Sequence, residues 1–199
     1  MKSNPTIFLR AIEPEDLDLL YRIENDRSLW NVSATNVPYS RYTLHEYIAN
    51  STGDIYADRQ VRLMIENGEH DVVGIVDLVN FDPANCRAEL GLIIEEPYRQ
   101  SGYAQAAVEA ICDYAVSVLH LCQIFAFIDA DNTPCITLFR KLQWNESARL
   151  KKWLFDGKDY HDVNTRSQLA FSRPAKREID IFPEPRHERD VPALPQLLH

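Results

Sequence analysis

The chain has 199 residues, 45% of them hydrophobic, enough for one globular domain with a substantial core and an appendage. Its 30 acidic and 21 basic residues give a formal net charge of -9, a balance that repels nucleic-acid phosphates and tolerates small cations. Cys86, Cys112, Cys122 and Cys135 lack CxxC spacing and the histidines lack HExxH or paired-ligand spacing, so neither a disulfide framework nor a metal site is expected.

In chain order, Thr6 to Ala11 (TIFLRA) is expected to open the fold as a strand. EPEDLDLLYRIEND begins with proline and acids, as first helical turns do, and sets Leu17, Leu20, Tyr21 and Glu24 on one side. Residues 25–42 read as irregular, and Thr43 is placed to cap a helix, TLHEYIAN, with Glu46 completing a capping box. QVRLMIENGEHDVVGIVDLVNF reads as two strands turning at Asn67-Gly68. In RAELGLIIEE, Ala88, Leu90, Leu92 and Ile94 share one face, and Glu89, Gly91 and Ile93 the other.

From Ala104 the apolar positions 104, 107, 108, 111, 115 and 118 follow helical spacing. CQIFAFIDAD reads as a buried strand, and Thr133-Pro134 as the N-cap and first position of a helix ending near Leu142. ARLKKWLFDGKDYHDVNTRSQLAF closes the domain as a hairpin turned at Asp156-Gly157. The order βαα-ββ-βα-βα-ββ describes a mixed α/β (α+β) domain over residues 5–171, followed by a proline-rich, charged tail over 172–199 that names no partner. No apolar run suits a signal peptide or a membrane span, so a reduced, cytoplasmic protein is expected.

Glu95 to Ala115, EEPYRQSGYAQAAVEAICDYA, joins a strand to a helix through a polar turn. The first N–H groups of such a helix have no intrahelical acceptor, and with the positive end of the dipole they favour an anion. Gly102 lets the backbone approach a bulky polyanion and Ala104 keeps the first turn clear. Alone, the loop reads more readily as a structural turn than as an anion site, since GxxxxGK[ST] and GxGxxG are both absent.

Arg99-Gln100-Ser101-Gly102-Tyr103-Ala104 resembles the [QR]-x-x-G-x-[GA] loop of the GNAT N-acetyltransferase superfamily. The likeness continues through AELGLIIEEPYRQSGYAQAAVEAICDYAVSVLHLCQIFAFIDADNTPCITLFRKLQW, matching the family's strand 4, helix 3, strand 5 and helix 4 in order. LRAIEPEDLDLLYRIEND and LFDGKDYHDV are similar to the subgroup of spermidine and diamine acetyltransferases and ribosomal-protein N-terminal acetyltransferases. The resemblance implies a GNAT-like fold in which strands 4 and 5 splay apart to admit acetyl-CoA. Ile93, Ile94 and Glu95 would then pair with the pantetheine arm, and the amides of Arg99, Gln100, Ser101, Gly102, Tyr103 and Ala104 would hold the phosphates. Asn132 matches a family asparagine beside the pantetheine, or is simply a turn residue before Thr133.

Amine acetylation needs a base to free the nitrogen lone pair. Glu89 is the candidate, matching a glutamate of the similar polyamine enzymes; the competing reading is a sheet glutamate paired with Arg87 or Lys141. Glu24 and Asp26 fall where this fold's first helix approaches the acceptor groove and could attract a cationic amine, or could be a solvated helix end. Four departures from the pattern stand out. Phe139 replaces the tyrosine that protonates the thiolate, Gln143 replaces the usual glycine, Gln100-Ser101 replaces Gly-Lys, and TNVPY at Thr35 to Tyr39 replaces an acidic EEPY. The resemblance thus implies transfer of acetyl from acetyl-CoA to a primary amine, a small polyamine or diamine first and a protein N-terminus second, with a homo-oligomer as the assembly of similar enzymes. A CoA-binding module without catalysis is the alternative that Phe139 raises.

Overall fold

A computed structural model describes residues 5–26 and 37–169. The tail 172–199, residues 170 and 171, and Thr35 and Asn36 of the TNVPY stretch lie outside the described residues. Seven strands, β1 (Ile7–Ala11), β2 (Val61–Asn67), β3 (Val72–Asp82), β4 (Arg87–Ile94), β5 (Gln123–Asp129), β6 (Asn145–Phe155) and β7 (Tyr160–Leu169), form one sheet ordered β1-β2-β3-β4-β5-β7-β6. Only β4 and β5 run parallel; the other neighbours are antiparallel. Five helices accompany them: α1 (Leu17–Glu24), α2 (Arg41–Asn50), α3 (Ile55–Asp58), α4 (Tyr103–Ser117) and α5 (Thr133–Lys141). The mixed α/β expectation therefore holds, with α3 added as one turn too short to carry a period. Asp54 caps α3 by accepting the Tyr56 N–H at 2.8 Å.

Strand alternation sorts the core into two layers. Ala88, Leu90 and Ile94 of β4 join Leu63, Ile65, Val76 and Leu78 against α4 and α5, where Val108, Ile111 and Phe139 are buried. The opposite face presents Met64 and Ile75 to Leu20 and Ile23 of α1 and Leu44 of α2, with Ile93 packed alongside. Arg10 links the edge of the sheet to the start of α1, bonding Glu66 at 2.5 Å and both oxygens of Asp16 at 2.7 and 2.8 Å.

Local details differ from the sequence expectation for identifiable reasons. The buried side of α1 is Leu20 and Ile23, while Tyr21 lies outside beneath the Arg41 guanidinium, 4.5 Å from its ring centre. Ser40, not Thr43, caps α2 by accepting the Thr43 N–H at 3.0 Å, so no Thr43–Glu46 capping box forms. Asn132, not Thr133, caps α5, and Val118 falls exposed beyond the last turn of α4. β5 is buried on one face only, Phe127 being 38% exposed on the other. The β2–β3 connection is longer than Asn67-Gly68 suggests. Asn67 Oδ1 accepts the N–H groups of Glu69 and Asp71, both at 2.9 Å, and the left-handed residue is His70 (φ 67°), not Gly68. The β6–β7 turn does use its glycine, Gly157 at φ 97°.

The end of β4 lies hard against β3. A Cβ at Gly74 would stand 2.2 Å from the Ile93 carbonyl oxygen, and the Glu95 N–H bonds the Val73 carbonyl at 2.9 Å. Glycine is required there because the obstruction is backbone. Gly74→Ala is expected to lower stability by about 3 kcal/mol, the upper end of ordinary overpacking costs, read as a lower urea midpoint at unchanged slope.

Candidate active site

Three register pairs join β4 to β5: Arg87 with Gln123, Ala88 with Ile124 and Glu89 with Phe125. Beyond Glu89 the strands part. β4 continues against β3 as far as Ile94 opposite Gly74, and β5 continues against β7 as far as Asp129 opposite Val163. A gap thus opens in the middle of the sheet, edged by residues 90–94 on one side and 126–129 on the other. Ile93 and Ile94 are the last residues of β4 beyond its pairing with β5, and Glu95 follows them.

The turn after β4 is organised from both ends. The Arg99 Nε–H donates to the Ile94 carbonyl at 2.9 Å, and the Glu95 carboxylate accepts from Arg22 of α1 at 2.6 Å. Gln100 and Gly102 are left-handed, at φ 60° and 92°. Gly102 is the N-cap of α4 and brings no side-chain acceptor, so the first-turn amides are not capped by a side chain. Pro5 backs the turn, 3.0 Å from where a Gly102 Cβ would stand. Residues 99–104 are therefore gathered at the start of a fifteen-residue helix whose dipole and amides suit a diphosphate. The fit of this end of the molecule to the phosphates and thioester arm of acetyl-CoA rests on those amides and on the parted strands. Arg99 has a second use that the motif did not reveal, holding the end of β4.

On the face toward α1 and α2, Glu89 sits at the last β4–β5 pair, where the gap begins. Its Oε2 accepts from Asn80 Nδ2 at 2.8 Å; the partner is neither Arg87 nor Lys141. Arg87 instead bonds Asp82 at 3.1 Å. Glu24 meets Arg62 at 2.5 Å, and the same guanidinium takes both oxygens of Asp77 at 2.9 and 2.8 Å. Burial opposes the charge on Arg62, but Asp77 and Glu24 outweigh it and hold it protonated. Glu24 is thus held by a guanidinium that it shares with Asp77. Asp26 lies exposed just past the end of α1. Sequence reading missed Arg62, Asp77 and Asn80; their signal is charge and amide inside otherwise apolar strands.

At the other lip, Asn132 caps α5, its Oδ1 accepting the Cys135 N–H at 3.1 Å, so the turn-residue reading describes its role in the fold. Phe139 is 3% exposed and meets Trp144 edge to face at 4.6 Å, the packing its spacing allows. One grouping answers the expectation that no metal ligands converge: Asp129, Asp131 and His161 bring their ligand atoms within 4.8 Å of one another. Local spacing could not reveal it, because His161 stands 30 residues from Asp131. The cysteines are free. Burial pushes the Cys135 thiol up to about 11, with Arg166 pulling only weakly the other way. Its folded pKa lies above the ordinary value, so the thiol stays neutral at pH 8 and ionises only as pH nears 11. Iodoacetamide at pH 8 is therefore expected to leave Cys135 unmodified in the native protein and to label it after unfolding, checked by peptide mass spectrometry.

A family model described as an acetyltransferase (GNAT) domain matches residues 6–145. Spermidine N(1)-acetyltransferase of Vibrio cholerae is 24% identical over 160 residues, 80% of this chain and 91% of that protein. The crystal structure of spermidine N-acetyltransferase from Vibrio cholerae in complex with CoA and spermine superposes with a TM-score of 0.74 at 23% identity, covering 83% of this chain and 96% of that one. A dodecameric structure of the same organism's enzyme gives 0.70 at 25% identity, covering 82% and 94%. Among the described residues no helix is long and apolar enough to cross a membrane. With the parted strands, the glycine-capped helix and a matched model over most of the sheet, the chain belongs to the GNAT acetyltransferase family.

Proposed function

We propose that the protein transfers acetyl from acetyl-CoA to a primary amine of a small polyamine or diamine, by direct transfer in a ternary complex. The observation that carries this reading is the short β4–β5 pairing beside the glycine-capped start of α4. The similarity to spermidine acetyltransferases, one of them solved with CoA and spermine, supports the acceptor class. The dodecameric relative supports a homo-oligomer.

Bound acetyl-CoA supplies the acetyl group as an activated thioester. The amides of residues 99–104 bind its phosphates, Ile93, Ile94 and Glu95 meet the pantetheine arm, and Asn132 flanks it. The backbone N–H of Ile94, on the edge of β4 away from β3, polarises the acetyl carbonyl. Glu89 accepts the proton that an alkyl ammonium, with a pKa near 10, must lose before it attacks. Asn80 orients that carboxylate. Glu24, in the last turn of α1, and Asp26 just past it attract the cationic amine. The high pKa of Cys135 argues against an acetyl-cysteine intermediate.

Incubation with acetyl-CoA and a panel of spermidine, spermine, short diamines and ribosomal-protein N-terminal peptides, read by release of free CoA, is expected to favour the polyamines. Glu89→Gln is expected to lower kcat/KM for the amine about 100-fold or more, with the Kd for acetyl-CoA by calorimetry unchanged. Preference for the peptides would move the acceptor to protein N-termini, and tight CoA binding without turnover on any amine would leave a CoA-binding module.

A further inference from the structure

β5 ends at Asp129, and the chain turns through Asp131 into the cap of α5. From the neighbouring hairpin, the His161 ring of β7 points into this turn. Its Nδ1 lies 3.1 Å from Asp131 Oδ2 and 3.9 Å from Asp129 Oδ2. Its Nε2 lies 3.1 Å from Asp156 Oδ2. Two of these carboxylates are anchored through their other oxygen. Asp129 Oδ1 accepts the Asp131 N–H at 2.8 Å, and Asp156 Oδ1 accepts those of Lys158 at 2.7 Å and Asp159 at 2.8 Å.

Asp156 is therefore built to take a proton from Nε2. With Nε2 donating to Asp156, Nδ1 faces two carboxylate oxygens, and either a proton on Nδ1 or a metal cation between the three atoms relieves their repulsion. The donors come from different segments, the end of β5, the turn into α5 and the start of β7, so the convergence belongs to the fold and not to a local run of acids. The inner donors are sheltered, with side chains 19% exposed at Asp129 and 25% at His161, while Asp131 at 81% forms the open side.

We propose that Asp129, Asp131 and His161 bind one first-row divalent cation of borderline softness, for which zinc is the probe, with Asp156 orienting the imidazole. One imidazole and two carboxylates suit zinc and its neighbours, whereas calcium and magnesium prefer more numerous oxygen donors. Water completes the coordination. The cation joins the β6–β7 hairpin to the turn before α5, the lip of the gap that carries Asn132 and faces β4. This site is independent of the acetyl-transfer reading, because its occupancy is measured without substrate.

The test uses the full-length, tag-free protein, stripped with a chelator and titrated with zinc chloride at pH 7.5 by calorimetry, with thermal unfolding in parallel. One equivalent is expected to bind and to raise Tm. His161→Gln and Asp131→Asn are each expected to weaken binding at least 10-fold and to abolish the rise, and Asp156→Asn to weaken it about 10- to 100-fold. Asp131 is the most exposed donor, so Asp131→Asn keeps the test valid if His161→Gln lowers the metal-free Tm. Binding at pH 5.5 is expected to be weaker, since a proton competes for Nδ1. The proposal is overturned if the wild type binds no saturable equivalent, or if zinc binds Asp131→Asn and His161→Gln as it binds the wild type. Either result would leave the cluster as a protonated histidine held by its carboxylates.

Discussion

A sheet is normally zipped along its length because an unpaired backbone N–H or C=O removed from water costs about 1–3 kcal/mol. This sheet is unzipped at its centre, where β4 and β5 share only the pairs from Arg87 to Glu89 and then separate. Each strand must therefore be held from its far side. β3 holds β4 through Ile94 opposite Gly74, and β7 holds β5 from Leu169 opposite Gln123 to Val163 opposite Asp129. The missing Cβ at Gly74 belongs to the same device, since it lets the Ile93 carbonyl lie against β3. Arg99 and the Arg22–Glu95 pair then fix the rim. The gap is thus held open by its surroundings, and its edges are backbone groups suited to a ligand that can hydrogen-bond as a strand does.

The charged groups on the α1-facing surface separate into two kinds. Glu24 and Asp77 share Arg62, so their charge is committed to a guanidinium that stays protonated throughout the working range. Among the described residues, Glu89 meets the neutral amide of Asn80, which sets its direction. Glu24 and Asp77 are held by a cation, and Glu89 by a neutral amide. That difference, more than position along the strand, distinguishes Glu89 from the other acids of this face.

What the sequence made legible followed from local patterns. The alternation in RAELGLIIEE separated Glu89 and Ile93 from Leu90 and Ile94, and helical spacing marked the buried side of α4. The loop was readable because glycine and the missing side-chain cap act within a few residues. The Arg62–Asp77 pair was hidden by the turn. A tight two-residue turn at Asn67-Gly68 would have set Arg62 against Val73, whereas Asn67 instead folds its side chain over the amides of Glu69 and Asp71 and lengthens the connection. That change, with the register shift between Ile65 and Glu66, brings Asp77 opposite Arg62. His161 and Asp129 were hidden for a similar reason, since their meeting depends on how β7 lies against β5. Thr43 and Thr133 were misassigned as caps because several neighbouring residues could accept the same N–H, and only backbone direction decides which one does.

Phe139 shows how a family position can change its work without changing its place. Its ring is buried against Trp144, so the contact that a tyrosine would make there as packing is retained and only the phenolic proton is absent. For acyl transfer from a thioester, that proton matters less than the base. A thiol has a pKa of about 8.5 and leaves readily as an anion at neutral pH, whereas an alkyl ammonium near 10 has no nucleophilic lone pair until a proton is removed. The demand for assistance falls on the amine side of the reaction, for which Glu89 is the proposed base, and solvent can protonate the departing sulfur. Catalysis in this chain is accordingly expected to depend on positioning and on the carboxylate, with the aromatic at 139 serving the core.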